Sequence, residues 1–322
     1  MEIFISQNYF PILDTLHEIS KEEFLPKKQT TLYALSQLLL SLPLNCDIEE
    51  SEAKKIAADI MGKKNYSSFK ELVIANAIKN QTLNLTAIDE SKISNHSAFY
   101  FVSNDSGNSL SKNHGVAIKD NKFDGDDFFD NYTIVDRPLG KGWEKITNAI
   151  PPCNSMLIVD KYIFGRPFQV KIKSLIDFIS LYKGSIKIPF HLTIVFSDTS
   201  RGKFITNAYH IKIAYQKIMA IGNIECQLFV NNNMPVDDRI ILTNYTSGNI
   251  GHPFDDRPTK FNQNFLGHEN DGLKIRRNYK EYEEQLRHWS DYIKTIVHKT
   301  SLPQTSWTSS NFQNRLFSYL DI

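Results

Sequence analysis

Four short apolar runs between residues 156 and 243 constrain the fold more than any other feature of this chain. They lie at residues 156–160, 191–196, 225–230 and 239–243. Runs that are apolar throughout are typical of strands buried on both faces of a sheet. Helix-like segments separate these runs, and such alternation favours βαβ units. The sequence therefore predicts an α/β fold whose C-terminal half holds a mixed, mostly parallel sheet with flanking helices.

The N-terminal region, residues 1–95, shows helical periodicity instead. Leu32, Leu35, Leu38 and Leu39 recur at the spacing of one helix face. Acidic residues follow at the start of a second helical segment, where the helix dipole favours them. We therefore expect a small, mainly helical N-terminal region.

The middle of the chain, residues 96–150, is less regular. A strand is predicted at residues 98–102, and a Ser-, Asn- and Gly-rich stretch at 104–115 indicates a loop. The Pro151-Pro152 pair marks the start of the α/β part. The predicted organisation is a helical region at 1–95, an irregular α+β connecting region at 96–150 and an α/β domain at 151–322.

Charge is spread unevenly along the chain. The formal net charge of the 322 residues is +1, so the molecule as a whole is not a protein that binds polyelectrolytes through its overall charge. Residues 161–217, however, hold ten Lys or Arg against two Asp, so this segment can form a basic face for phosphate-bearing partners. The alternative is a scatter of solvated lysines on helix surfaces.

The three cysteines, Cys46, Cys153 and Cys226, have no metal or redox spacing. Unpaired cysteines fit a reducing compartment. The N-terminus lacks the pattern of a secretory signal, and the longest apolar runs are far shorter than a membrane span. We therefore expect a cytoplasmic protein with no membrane span.

Several acids stand at the ends of the predicted strands. Asp160 and Asp198 follow apolar runs, and ligands of open α/β sheets bind at the carboxyl ends of the strands. Asp238 and its neighbour Asp237 precede the fourth run, so they reach the same edge only if that strand is antiparallel. Clustered carboxylates could then hold Mg²⁺ for phosphoryl chemistry. The alternative is that each acid caps a helix or a turn.

Basic residues near the same strand ends are candidates for phosphate or nucleic-acid binding. Two of them lie at 197–204, directly before a predicted helix whose free N–H groups suit an anion. The full set of predicted phosphate contacts is Lys161, Arg166, Arg201, Lys203 and Arg239. Aromatic side chains near these charges could stack bases, although most are expected in the core. They are Tyr162, Phe164, Phe168, Phe190, Phe204 and Tyr209.

The segment at residues 236–245 carries a family resemblance. An acidic-basic turn, Asp237-Asp238-Arg239, leads into an apolar strand and a turn, and Gly251-His252-Pro253-Phe254 follows. This order is similar to that of divergent, single-motif relatives of the phospholipase D-like fold, over residues 151–300. The resemblance implies a phospholipase D-like α/β domain, and some such relatives bind membranes or partners instead of cutting.

This chain departs from the active members of that family. Where they carry the nucleophilic His, this chain has Asp237, and Arg239 stands where they carry Lys. A carboxylate is repelled by an anionic phosphodiester, whereas Arg binds phosphate through a bidentate fork. The resemblance therefore implies a degenerate active site that retains phosphate binding.

The sequence favours a non-catalytic binding or assembly protein. It would contact nucleic acid, a protein partner or both, as a subunit of a bacterial multi-protein system such as a defence system, with no cofactor. One alternative is a metal-dependent nuclease that uses Asp160, Asp198 and Asp238 with Mg²⁺, and His252 is a further catalytic candidate. The other alternative is a purely structural subunit.

Overall fold

The structure is a computed structural model in which the chain forms two compact units. The first unit comprises Met1–Lys112, Val116–Asp130 and Leu266–Lys280, and the second comprises Asn113–Gly115, Asn131–Phe265 and Glu281–Ile322. Each unit has its own β-sheet and helices, so the predicted α/β class is confirmed. The structure describes residues 1–15, 26–60, 66–95, 97–123, 134–137, 142–197, 208–230, 239–250, 254, 261–266, 272–299, 306–308 and 313–318.

The first unit contains a five-stranded sheet in which every pairing is parallel. Its strands, in the order β3-β2-β1-β4-β5, are β1 (Glu2–Ile5), β2 (Leu44–Cys46), β3 (Leu83–Leu85), β4 (Ala98–Phe101) and β5 (Ala117–Lys119). Parallel neighbours need crossover connections, which here include helices. These helices are α1 (Pro26–Ser41), α2 (Glu50–Ile60), α3 (Phe69–Lys79) and α4 (Gly107–His114).

Helices account for most of the described residues among 1–95, and three strands lie among them. Strands β2 and β3 are three residues long, too short to show a periodicity of two. Strand β1 begins at Glu2, and its alternation of half-buried and buried residues spans only four positions. The sheet of the first unit therefore depends on tertiary pairing that local patterns do not reveal.

The loop predicted at residues 104–115 is wrong, because Gly107–His114 is a helix. The Asp120 carboxylate accepts a hydrogen bond of 3.2 Å from the Asn108 N–H and so caps the first turn of α4. Gly107 packs so closely against Asp120 that a Cβ would lie 2.6 Å from the Asp120 Cβ. A cap from twelve residues downstream thus overrides a composition typical of loops.

The second unit contains an eight-stranded mixed sheet in the order β13-β9-β8-β7-β10-β11-β12-β6. Its centre, β7 to β9, is parallel, and all its other pairings are antiparallel. The strands are β6 (Ile134–Arg137), β7 (Ser155–Val159), β8 (Phe190–Phe196), β9 (Ile224–Val230), β10 (Ile240–Thr243), β11 (Thr246–Ile250), β12 (Phe261–Phe265) and β13 (Ser306–Thr308). The helices are α5 (Phe168–Lys183), α6 (Ala208–Met219) and α7 (Gly272–Lys299).

The central strands are the apolar runs that the sequence identified. Every residue of β7 and β8 is buried, which is the pattern of strands covered on both faces. Helices α5 and α6 provide the crossovers between β7, β8 and β9, and Leu175 and Ile218 are among their buried residues. This core fixes the edge of the sheet at which Asp160 and Arg239 emerge.

Strand β12, Phe261–Phe265, lies in a stretch, residues 255–270, whose sequence indicates an irregular loop, so that prediction is wrong for these five residues. Its inward face alternates Phe261, Gln263 and Phe265. Gln263 is buried, accepts a hydrogen bond from the Tyr182 hydroxyl and donates one of 3.2 Å to the Ala149 carbonyl. Because a polar residue occupies this core position, the strand lacks the apolar alternation by which strands are predicted from sequence.

Candidate functional site at the carboxyl edge of the second sheet

The candidate site lies where the parallel strands of the second sheet end. Asp160 directly follows β7, and Ser197 directly follows β8. Strand β10 is antiparallel to β7, with Ile240 opposite Val159. The residue before β10, Arg239, therefore emerges at the same edge as Asp160. Strand β10 thus has the antiparallel direction that a site shared by Asp160 and Asp238 requires, while Asp238 itself lies outside the described residues.

Asp160 and Arg239 form an ion pair at this edge. The Arg239 Nε lies 3.5 Å from the Asp160 Oδ1, and the two side chains are 14% and 4% exposed. The Asp160 carboxylate also accepts a hydrogen bond of 2.8 Å from the Tyr162 N–H, and its own N–H donates to the Val195 carbonyl at 3.1 Å. Backbone contacts to two chain segments thus hold the carboxylate in place.

The basic side chains beside this pair differ in their accessibility. Lys161 is half-buried, with its ammonium 5.8 Å from the centre of the Tyr162 ring, and its carbonyl accepts a hydrogen bond from the Ser197 N–H. Arg166 is exposed in the connection between β7 and α5, where a cis peptide bond joins it to Pro167. Among the described residues of this edge, the charges of Asp160 and Arg239 offset each other, and Lys161 and Arg166 add positive charge.

Lys171 is a basic residue of this region whose position the sequence did not reveal. Its side chain is buried in the first turn of α5, and its ammonium donates a hydrogen bond of 3.1 Å to the Tyr162 carbonyl. Lys171 thus tethers the segment that follows Asp160. The only sequence signal was a lysine in the first helical turn, where the dipole disfavours a cation.

The aromatic candidates separate clearly by burial. Phe164, Phe168 and Phe190 are core residues, whereas Tyr162 is half-buried. Tyr209, in the first turn of α6, is 67% exposed. Of the aromatic side chains predicted to stack bases, Tyr209 therefore presents the most accessible ring among those that the structure describes.

Other predicted residues lie outside the described residues. They are Asp198, Arg201, Lys203, Phe204, Asp237, Asp238 and His252. Within the described ranges, no group of three or more His, Cys, Asp or Glu side chains could hold a metal ion. Since two of the three acids of the nuclease alternative are not described, the magnesium site stays a prediction.

The geometry suits anion binding. Ligands of α/β sheets bind at the carboxyl ends of the strands, and the accessible charges described here are cationic. Of the helices that the structure describes, none has both the length and the apolar character that a membrane crossing requires. Comparisons with protein-family models, with curated proteins and with solved structures found no match to this chain.

Proposed function

We propose that this protein is a non-catalytic binding and assembly protein that contacts nucleic-acid phosphates with the carboxyl edge of its second sheet. The observation that carries the proposal is the ion pair of Asp160 and Arg239 at that edge, flanked by Lys161 and Arg166. The pair neutralises the carboxylate that would otherwise repel an anion. The two flanking cations then attract phosphates, and such attraction dominates nucleic-acid affinity.

A degenerate phospholipase D-like core is part of this proposal. It is supported by a strand order in which β7, β8 and β9 are parallel and antiparallel strands β10 and β11 follow. One detail differs from the sequence-based expectation, since β11 ends at Ile250, before the Gly251-His252-Pro253-Phe254 segment, instead of starting near it. Assembly with a protein partner in a bacterial multi-protein system belongs to the same proposal.

A binding and integrity assay tests this function. Single- and double-stranded DNA and RNA, labelled at both ends, are incubated with the protein, and fluorescence anisotropy and gel electrophoresis follow binding and strand length. We expect binding without strand cleavage, and about threefold or greater weakening in Arg166→Ala. Lys79→Ala removes one exposed cation from α3, in the first unit, and serves as the control of equal charge. Absence of binding, or equal weakening in both variants, would contradict the proposal.

A metal-dependent nuclease is the second candidate function. The antiparallel direction of β10 favours it, because Arg239, which directly follows Asp238 in the sequence, emerges at the edge that bears Asp160. The same assay is repeated with Mg²⁺, with Mn²⁺ and with a chelator. Metal-dependent cleavage that Asp238→Asn abolishes would establish this function in place of the first.

A further inference from the structure

Tyr209 is an exposed aromatic ring with no evident structural role. At 67% exposure it is the most exposed of the large apolar side chains at the described positions, ahead of Tyr33 at 51%. It is the second residue of α6, the helix that connects parallel strands β8 and β9. A helix that joins parallel strands begins near their carboxyl ends. Tyr209 therefore lies on the side of the sheet that also bears Asp160.

A ring stack fixes the position of this tyrosine. The His210 imidazole lies flat against the Phe168 ring, with centroids 4.2 Å apart and planes inclined by 6°. Phe168 is the first residue of α5 and is only 6% exposed. The stack therefore joins the first turns of α5 and α6. The Tyr209 ring lies beside it, 6.3 Å from the His210 centroid.

Among the described residues, the surroundings of Tyr209 are cationic. The first turns of α5 and α6 contain no acidic residue. Lys212 is exposed one turn after Tyr209, and residues three apart share a helix face. Arg166 is exposed two residues before Phe168. An accessible ring, with exposed cations on its own helix and at the start of the helix that its neighbour His210 contacts, matches the chemistry of a nucleotide, which combines a flat base with an anionic phosphate.

We infer that Tyr209 is a stacking platform for an unpaired base, so that the nucleic acid bound at this edge is single-stranded. This inference rests on the proposed function and specifies its ligand class. Bases in a duplex are stacked on each other and cannot cover a protein ring, whereas unpaired bases stack on aromatic side chains regardless of sequence. Lys212 and Arg166 contact the phosphates on either side of the stacked base.

The test compares strands that differ only in their bases. Fluorescence anisotropy measures the affinity of each variant for a thymidine oligonucleotide of about ten nucleotides, for an abasic strand of equal length and charge, and for a duplex. We expect Tyr209→Ala to weaken thymidine-strand binding by about 5- to 100-fold and to leave abasic-strand binding unchanged. Tyr209→Phe retains the ring and the affinity. Tyr33→Ala, which removes an exposed tyrosine from α1, behaves like the wild type.

The possible failures are distinguishable. Undiminished thymidine-strand binding by Tyr209→Ala, or an equal loss on the abasic strand, would overturn the stacking inference and leave the phosphate-binding function standing. Duplex binding as tight as single-strand binding would also overturn it. A wild-type protein that binds none of the three strands would refute the proposed function itself.

Discussion

At the residue scale, the ion pair of Asp160 and Arg239 stabilises the second unit, and the proposed binding surface lies around it. Both side chains are largely shielded from water, so each charge depends on the other. The pair was only conditionally predictable from the sequence. Asp160 was identifiable because it ends an apolar run, but the approach of Arg239 depends on the direction of β10, which no local pattern encodes.

Arg239→Met is expected to destabilise the second unit by about 3–5 kcal/mol, because it leaves the Asp160 carboxylate buried without its cation. Thermal and urea denaturation monitored by circular dichroism measure the effect. The double variant Asp160→Asn with Arg239→Met removes both charges and should recover part of the loss. A single variant as stable as the wild type would show that the ion pair contributes nothing.

His191 introduces a pH dependence of stability. Burial lowers the pKa of His191 from 6.5 to about 3, and the nearby Arg315 guanidinium adds to the decrease. The Nδ1 atom accepts a hydrogen bond of 3.2 Å from the Arg315 N–H, so protonation of that nitrogen would break the bond. A hydrogen bond with the Gln313 backbone acts on the pKa in the opposite direction. The imidazole is therefore neutral in the folded protein at pH 7.

As the pH falls below 6.5, His191 becomes protonated in the unfolded chain, whereas in the folded protein it stays neutral until about pH 3. The stability contribution is therefore fully present above pH 6.5 and decreases between these values, by at most about 1.4 kcal/mol per pH unit. His191→Gln keeps an acceptor for the Arg315 N–H but does not titrate. Between about pH 7.5 and about pH 4.5, the melting temperature should fall less in this variant than in the wild type, and parallel curves would contradict the assignment.

At the element scale, a buried asparagine links the turn between β10 and β11 to the start of β7. The Asn244 Oδ1 accepts hydrogen bonds from the Asn154 and Ser155 N–H groups at 2.9 and 3.0 Å. Its Nδ2 donates to the Asn154 Oδ1 at 3.0 Å, and all three residues are at most 1% exposed. This contact holds the antiparallel β10 in register with β7, and thereby places Arg239 beside Asp160.

Asn244→Ala is expected to cost about 2–5 kcal/mol, because two buried backbone N–H groups lose their acceptor. Chemical denaturation measures the loss, with Asn80→Ala, at an exposed asparagine, as the control. If β10 shifts in register as a result, nucleic-acid affinity also falls. A loss no larger than that of Asn80→Ala would show that the turn does not depend on this side chain.

Some strands and helices could be predicted from the sequence, and others could not. Strands β7 and β8 were predictable because burial on both faces favours continuous apolar runs. Strand β9 was predictable from its apolar end, Leu228 to Val230. Strand β12 and helix α4 were not predictable, because each depends on a hydrogen bond to a residue elsewhere in the sequence. Gln263 of β12 bonds to the Ala149 carbonyl, and the Asp120 carboxylate caps α4. Strand β11 has a single apolar residue, Ile250, and thus no apolar alternation, yet it pairs with β10 and β12.

At the scale of the whole molecule, the α/β class followed from the sequence, whereas the sheet of the first unit did not. That the chain divides into folding domains at residues 95 and 150 stays a prediction. By contact, the chain groups into two units, and residues 96–150 contribute β4 and β5 to one sheet and β6 to the other. Helix α7 also belongs to both units, changing from one to the other after Lys280. Such long-range pairings leave no local signature.

The central claim is that cations at the carboxyl edge of the second sheet bind nucleic-acid phosphates. The most direct measurement is the affinity for a single strand as a function of salt, in the wild type and in the double variant Lys161→Ala with Arg166→Ala. Two lost phosphate contacts should make the slope of log affinity against log salt shallower by about 1.4. Identical slopes in the two proteins would contradict the claim.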